Sequence, residues 1–151
     1  MGAIVVLSLP AVLIGCGDSG ANEITAPPPT AQELASQMGR ICQNHTDRQV
    51  AAIERFENRH RLDHEHLSAR QLEQELVRVI LPIVRDTIHD VGRLRPPRAE
   101  QGRFEAFIRA LEHGVSVSET DPSWVATGDF EPFGRARQLS AALGTYYCGQ
   151  A

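Results

Sequence analysis

Residues 68–94 read SARQLEQELVRVILPIVRDTIHDVGRL, and this stretch decides the fold. It opens on Ser68-x-x-Gln71, the spacing of a capping box, in which each side chain satisfies a backbone N–H that the first helical turn leaves free. Leu72, Leu76, Val79, Ile80, Ile83, Thr87, Val91 and Leu94 then recur at helical intervals and share one side. Arg70, Glu73, Arg85 and Asp90 mostly fall elsewhere. Pro82 lies inside the run. It lacks the backbone donor and presses on the preceding turn, so a kink is expected there. Pro96-Pro97 closes this element or opens the next.

The same periodicity extends to both sides. Upstream, Thr30-x-x-Glu33 is a second capping box, followed by Leu34, Met38, Ile41, Cys42, Ala52, Ile53 and Phe56 on one face. His45 and Gln49 continue that face as polar members, and His45 is expected to make one core hydrogen bond. Thr46-x-x-Gln49 reads as a further cap, so the helix breaks near residues 44–47 or runs through. Downstream, a third helix is expected from about Pro97 to Glu119, with Phe104, Phe107, Ile108, Leu111 and Val115 as its stripe and Gly114 weakening it. Asp121-Pro122 stops it, and residues 121–130 read as a loop holding Trp124. A fourth helix should start around Asp129, with Phe133, Ala136, Leu139, Ser140, Leu143 and Tyr147 inward and Gly144 as its left-handed terminal residue. No stretch after the N-terminal segment alternates convincingly as a strand. The expected fold is all-α, a bundle of four helices, or five if the first breaks.

The first 31 residues have a different character. Residues 3–14 are apolar except for Ser8 and Pro10. A spanning helix needs about 20 apolar residues, so this run has the length of an export leader's hydrophobic part. Only Met1-Gly2 precedes it, where such leaders carry a positive charge, and Val6 stands where a myristoylation motif needs Ser or Thr. Leu13-Ile14-Gly15-Cys16 then resembles the lipobox of bacterial lipoprotein signal peptides. In that family the leader is cut before the Cys and the thiol carries a diacylglycerol. The resemblance implies a signal peptide over 1–15 and a lipidated Cys16, with the protein exported and held on the outer face of the cytoplasmic membrane. A cleavable leader without lipid, or a buried strand at Ile4-Val5-Val6-Leu7, are the alternatives. Residues 16–31, with Pro27-Pro28-Pro29, then form an extended tether, and residues 32–149 the helical domain.

Three cysteines are present. With Cys16 assigned to lipid, Cys42 and Cys148 remain, an even pair in a compartment where disulfides persist. Their bridge would clamp the C-terminus onto the first helix. The alternative is two buried thiols. The spacing is not the Cys-x-x-Cys of a redox site. The layout also resembles small secreted or lipid-anchored helical proteins of actinobacteria. The matching residues are Cys42, Asp121-Pro122, Pro132-Phe133-Gly134-Arg135-Ala136 and Leu143-Gly144-Thr145-Tyr146-Tyr147-Cys148-Gly149. This resemblance covers about residues 32–149 and implies location and fold, without a mechanism.

Composition excludes several functions. The chain has 151 residues, enough for one domain, and its net charge of −4 lacks the basic excess of a nucleic-acid binder. All 15 basic side chains are arginines. Residues 47–112 hold 12 Arg against 12 Asp and Glu, a net of zero. Arg93, Arg95 and Arg98 flank Pro96-Pro97 and would face anionic headgroups if turned to a bilayer, but a water-exposed turn is the plainer reading. The densest candidate cluster is His60-Arg61-Leu62-Asp63-His64-Glu65-His66. Continued as a helix it would stack His60 on His64, and with His66 and a carboxylate it would suit Zn²⁺, Ni²⁺ or Cu²⁺. It is not the His-Glu-x-x-His of a metalloprotease, and a hydrated polar connection is the plainer reading. His89 and His113 are expected on outer faces, and Glu54, Glu57, Glu73 and Glu75 in solvent. The serines form no Gly-x-Ser-x-Gly elbow. No nucleophile, base and orienting group stand together, so no catalytic residue and no cofactor is expected. Two main functions remain, with an envelope enzyme behind them: a lipid-anchored interaction or accessory protein of the cell envelope with an envelope protein partner, and a small metal- or solute-binding lipoprotein centred on His60, His64 and His66.

Overall fold

The structure is a computed structural model that describes residues 29–128, 131–146 and 148. The fold is all-α. Helix α1 spans Ala31–His60, α2 Ala69–Glu75, α3 Leu81–Gly92, α4 Gln101–Thr120, α5 Trp124–Thr127 and α6 Glu131–Ala142. A π-helical turn, Leu76–Ile80, joins α2 to α3, and a 3₁₀ turn, His64–His66, precedes α2. Helix α1 packs on α3, α3 on α4, and α4 on α6, while the short α5 lies against α2. The four long rods are therefore α1, the α2–α3 unit, α4 and α6.

Both expected caps form. Glu33 N donates to Thr30 Oγ1 at 3.2 Å while Thr30 N donates to Glu33 Oε2 at 2.7 Å. Ser68 N donates to Gln71 Oε1 at 2.8 Å. Helix α1 does not break near residue 44. Thr46 turns its hydroxyl back onto the Cys42 carbonyl at 3.0 Å, which uses it inside the helix instead of at a new cap. The helix ends at His60 with Arg61 left-handed at φ 53°, and Leu62 N closes the terminal turn on the Glu57 carbonyl at 2.9 Å.

At Pro82 the chain stays helical and widens. Leu81 N donates to the carbonyl of Leu76, five residues back, giving the π turn. The extra residue widens the buried side, so that Ile83 and Val91 of the expected stripe stay buried and others join them. Leu81 and Val84, outside the stripe read from the sequence, are buried, while Ile80, Thr87 and Leu94 are half-buried. Glu75, expected in solvent, is buried as well, at the end of the helix that α5 packs against.

Helix α4 starts later than expected. Residues 97–100 form tight turns, with Glu100 N on the Pro97 carbonyl at 2.9 Å, before the α-helical pattern begins. Phe104, Phe107, Leu111 and Val115 are buried and Ile108 is half-buried. Gly114 does not weaken the element; it makes room for α6. A Cβ there would stand 2.6 Å from the Phe133 ring and 2.8 Å from the Pro132 carbonyl oxygen. The 121–130 loop contains helix α5. Its Trp124 donates through Nε1 to the buried Ser118 Oγ at 3.1 Å and meets Phe133 edge-on, centroids 6.1 Å apart. On α6, Phe133, Ala136, Leu139 and Ser140 face inward, with Leu143 just beyond. Gly144 is left-handed at φ 81°, and Thr145 N caps back to the Ser140 carbonyl at 3.0 Å. Asp129 and Tyr147 lie outside the described residues.

Cys42 and Cys148 form the disulfide, Cα atoms 5.1 Å apart and 106 residues apart in sequence. It joins α1 to the segment after α6, beside Gly39, whose Cβ position is 3.8 Å from Thr145 Oγ1, and Ala35, 3.4 Å from that of Gly144.

Two outcomes follow for the fold. Reduction of the disulfide should lower unfolding stability by about 2–4 kcal/mol, read as an earlier urea midpoint with and without a thiol reductant. Gly114→Ala should destabilise by about 1–3 kcal/mol by overpacking against Phe133, although alanine is the better helix former by about 1 kcal/mol. A Gly114→Ala chain as stable as the parent would show that the α4–α6 contact is not tight.

Candidate functional site: a polar seam and an arginine groove

The histidine cluster is divided by the end of α1. His60 is the last residue of that helix, its ring 4.6 Å from Phe56 between centroids. Because Arg61 leaves the helix left-handed, the His60–His64 stacking that a continued helix would give does not arise. His66 is exposed, its Nδ1 2.8 Å from Asp63 Oδ2. Asp63 Oδ1 also accepts from Glu65 N at 3.2 Å, so this carboxylate caps the 3₁₀ turn. The side chain of His64 lies outside the described residues. Among the described residues no three His, Cys, Asp or Glu side chains are placed to hold a metal ion.

Cys16 lies outside the described residues. Arg93 and Arg95 line a shallow cavity with Pro29, Glu33 and Gln37, at the end of the bundle where α1 starts. His89 and His113 are exposed, as expected.

The polar positions of α1 carry more than the sequence disclosed. His45 is buried and faces α3, where its Nε2 is 2.9 Å from Asp90 Oδ2. Its Nδ1 is 3.1 Å from Arg48 Nη1. A guanidinium only donates, so Nδ1 must accept, and Nε2 then carries the proton given to Asp90. Arg48 reaches on to Asp86, Nη2 to Oδ2 at 2.9 Å. One turn of α1 is thus tied to Asp86 and Asp90, a turn apart on α3. Asp90 also holds His89 Nδ1 at 3.1 Å. The hydrogen bonds from His89 first and His45 second hold the Asp90 carboxyl below the ordinary carboxylate range.

Beside this seam lies an open groove of about 360 Å³ between α1 and the π turn with α3. Arg48, Ala52, Arg55 and Arg59 line it from α1, and Arg78, Val79, Pro82, Ile83 and Asp86 from the other side. Residues 48, 52, 55 and 59 are spaced four, three and four apart, one stripe of a helix. Arg78 comes from inside the π turn that Pro82 follows. The groove holds four guanidiniums against one carboxylate, and that carboxylate is taken by Arg48. Among the described residues Arg55, Arg59 and Arg78 make no ion pair, whereas Arg85, Arg103 and Arg109 reach Glu119, Glu100 and Glu105. Arg59 is folded back along α1, its Nε donating to the Arg55 carbonyl at 3.3 Å.

Sequence reasoning missed this groove. A signal was present in the spacing of Arg48, Arg55 and Arg59, but the facing wall depends on a pairing of helices that no local pattern gives. No protein-family model, curated protein or solved structure matches the chain.

The seam predicts an acid response. A carboxyl held below its unfolded value stabilises the fold above that value and loses the contribution as pH falls through the lowered one. Thermal midpoints should therefore fall on acidification through and below the carboxylate range. In Asp90→Asn the midpoint should be lower near neutrality and the acid dependence shallower, with the carboxyls of Glu33 and Asp121, also held low by hydrogen bonds from Thr30 and Ser123, supplying the remainder. An unchanged pH profile in Asp90→Asn would remove the seam from the account of stability.

Proposed function

We propose that this protein is a lipid-anchored accessory protein of the bacterial cell envelope, exported, diacylated on Cys16 and held on the outer face of the cytoplasmic membrane. Its helical domain binds rather than catalyses, and recruits an envelope partner. The observation that carries this reading is Leu13-Ile14-Gly15-Cys16 directly after the apolar run of residues 3–14. Two others support it. The Cys42–Cys148 bond fits folding in an oxidising compartment and leaves Cys16 as the cysteine outside the pair. No helix among the described residues is long and apolar enough to cross a membrane, and two acyl chains hold a protein at a bilayer without one.

The full chain, expressed with its leader in a bacterial host, should fractionate with the cytoplasmic membrane. Intact-mass measurement should give a protein that begins at Cys16 and is heavier by the attached acyl groups. Cys16→Ser should leave the leader uncut and the protein without lipid. An unprocessed, lipid-free parent chain in the cytosol would overturn the proposal.

A further inference from the structure

We infer that the groove of Arg48, Arg55, Arg59 and Arg78 is a binding site for a phosphoryl group, presented by a phosphate ester or a diphosphate. The inference goes beyond the anchoring proposed above and does not depend on it.

Charge comes first. Three guanidiniums without a carboxylate share one groove whose wall is partly Ala52, Val79, Pro82 and Ile83. Beside apolar atoms their mutual repulsion is screened less than in open water. The one acid in the groove is paired with Arg48, which also reaches the buried His45, and among the described residues it makes no ion pair with the other three arginines. An anion entering the groove removes that repulsion.

Geometry then selects the anion. A carboxylate offers two oxygens in one plane, a shape that matches a single guanidinium fork. A terminal phosphoryl group offers three oxygens spread tetrahedrally and accepts from several guanidiniums together, which matches a groove with Arg55 and Arg59 on one wall and Arg78 on the other. Arg59 uses Nε on the helix backbone, leaving its two terminal nitrogens for a ligand. The apolar wall would take the organic part of an ester.

The backbone adds an independent sign. Arg78 stands in the π turn, and Val79 beside it and Pro82 beyond it line the same groove. Single π turns are rare and recur at functional sites. Here the turn and the proline meet where the arginines gather.

The test uses the full chain in a phosphate-free maltoside detergent, titrated calorimetrically with pyrophosphate and with glycerol 3-phosphate. Saturable binding that weakens with added salt is expected. Arg55→Gln and Arg78→Gln should each raise the dissociation constant roughly tenfold or more. Arg109→Gln makes the same change in net charge on another helix and should leave it unaltered. Circular dichroism confirms that each variant is folded; if either groove variant unfolds, Arg59→Gln replaces it. Micelles doped with phosphatidic acid, whose headgroup is a phosphate monoester, separate the two sources of the group. A fall in apparent pyrophosphate affinity there, lost in Arg78→Gln, assigns a lipid headgroup; an unchanged affinity assigns a free ester. No saturable binding of either probe, acetate bound as tightly as pyrophosphate, or an equal loss in Arg109→Gln would overturn the inference. None of these readouts requires Cys16 to carry lipid, so failure here leaves the anchoring proposal standing.

Discussion

One covalent bond joins helix α1 to the segment after α6, and the bundle closes there. Along the chain the rods pack in succession, α1 on α3, α3 on α4 and α4 on α6. The return from the last rod to the first is made by Gly144, Thr145 and Cys148 against a face of α1 that carries Ala35, Gly39 and Cys42. Those α1 residues are small, so the returning backbone comes close. Small side chains at these contact points bury little apolar area themselves, although Leu34 and Met38 are buried on the same helix, and the contact joins positions 106 residues apart. A contact of that kind has a high closure entropy to offset and little burial with which to do so. The disulfide supplies the difference by restricting the unfolded chain.

That closure matters away from the cysteines because α1 is long and continuous. Its 30 residues make a rod of about 45 Å at 1.5 Å per residue. Its first half is fixed by the tail through Cys42, and its middle by the His45–Asp90 and Arg48–Asp86 seam. The groove lies just beyond these two fastenings, on the next turns of the same rod. The seam has a second effect on the groove: by occupying Asp86, it leaves the remaining arginines without their one internal counter-charge.

The legible part of the structure was the part governed by local pattern. Both capping boxes, the inward stripes of α1, α4 and α6, the left-handed Gly144 and the pairing of Cys42 with Cys148 follow from residue spacing, turn chemistry and cysteine parity. What the sequence hid arises where a helix departs from regular geometry or where another helix sets a residue's surroundings. A strict 3.6-residue count makes no allowance for the π turn, so Leu81 and Val84 were read as outside the stripe although they are core. Gly114 looked like a weak point because propensity describes one helix, and its role is set by the Phe133 ring of another. Glu75 looked solvated because helix α5 was not foreseen. The groove was hidden in the same way: residues 47–112 sum to no net charge, and only the packing of α1 on the π turn and α3 sorts four arginines and a single acid into one place.

The position of the groove along α1 bears on what an anchored molecule could reach. Residues 48–59 lie about 25–42 Å from Ala31 along the rod at 1.5 Å per residue. Residues 17–30, which separate the proposed lipid site from α1, span at most about 50 Å when fully extended, at no more than 3.6 Å each. The two lengths are comparable. A molecule tethered at Cys16 could therefore stand with the groove away from the bilayer or lie with it at the headgroups, and the tether itself does not choose. Arg93 and Arg95, beside the start of α1, add positive charge at the end nearest the anchor. For a chain anchored at Cys16 as proposed, positive charge at both ends of the rod would favour lying flat on an anionic surface over standing upright, because the field of the surface fades within about a Debye length of roughly 8–10 Å, and Glu33, which lines the cavity with Arg93 and Arg95, would offset part of that gain.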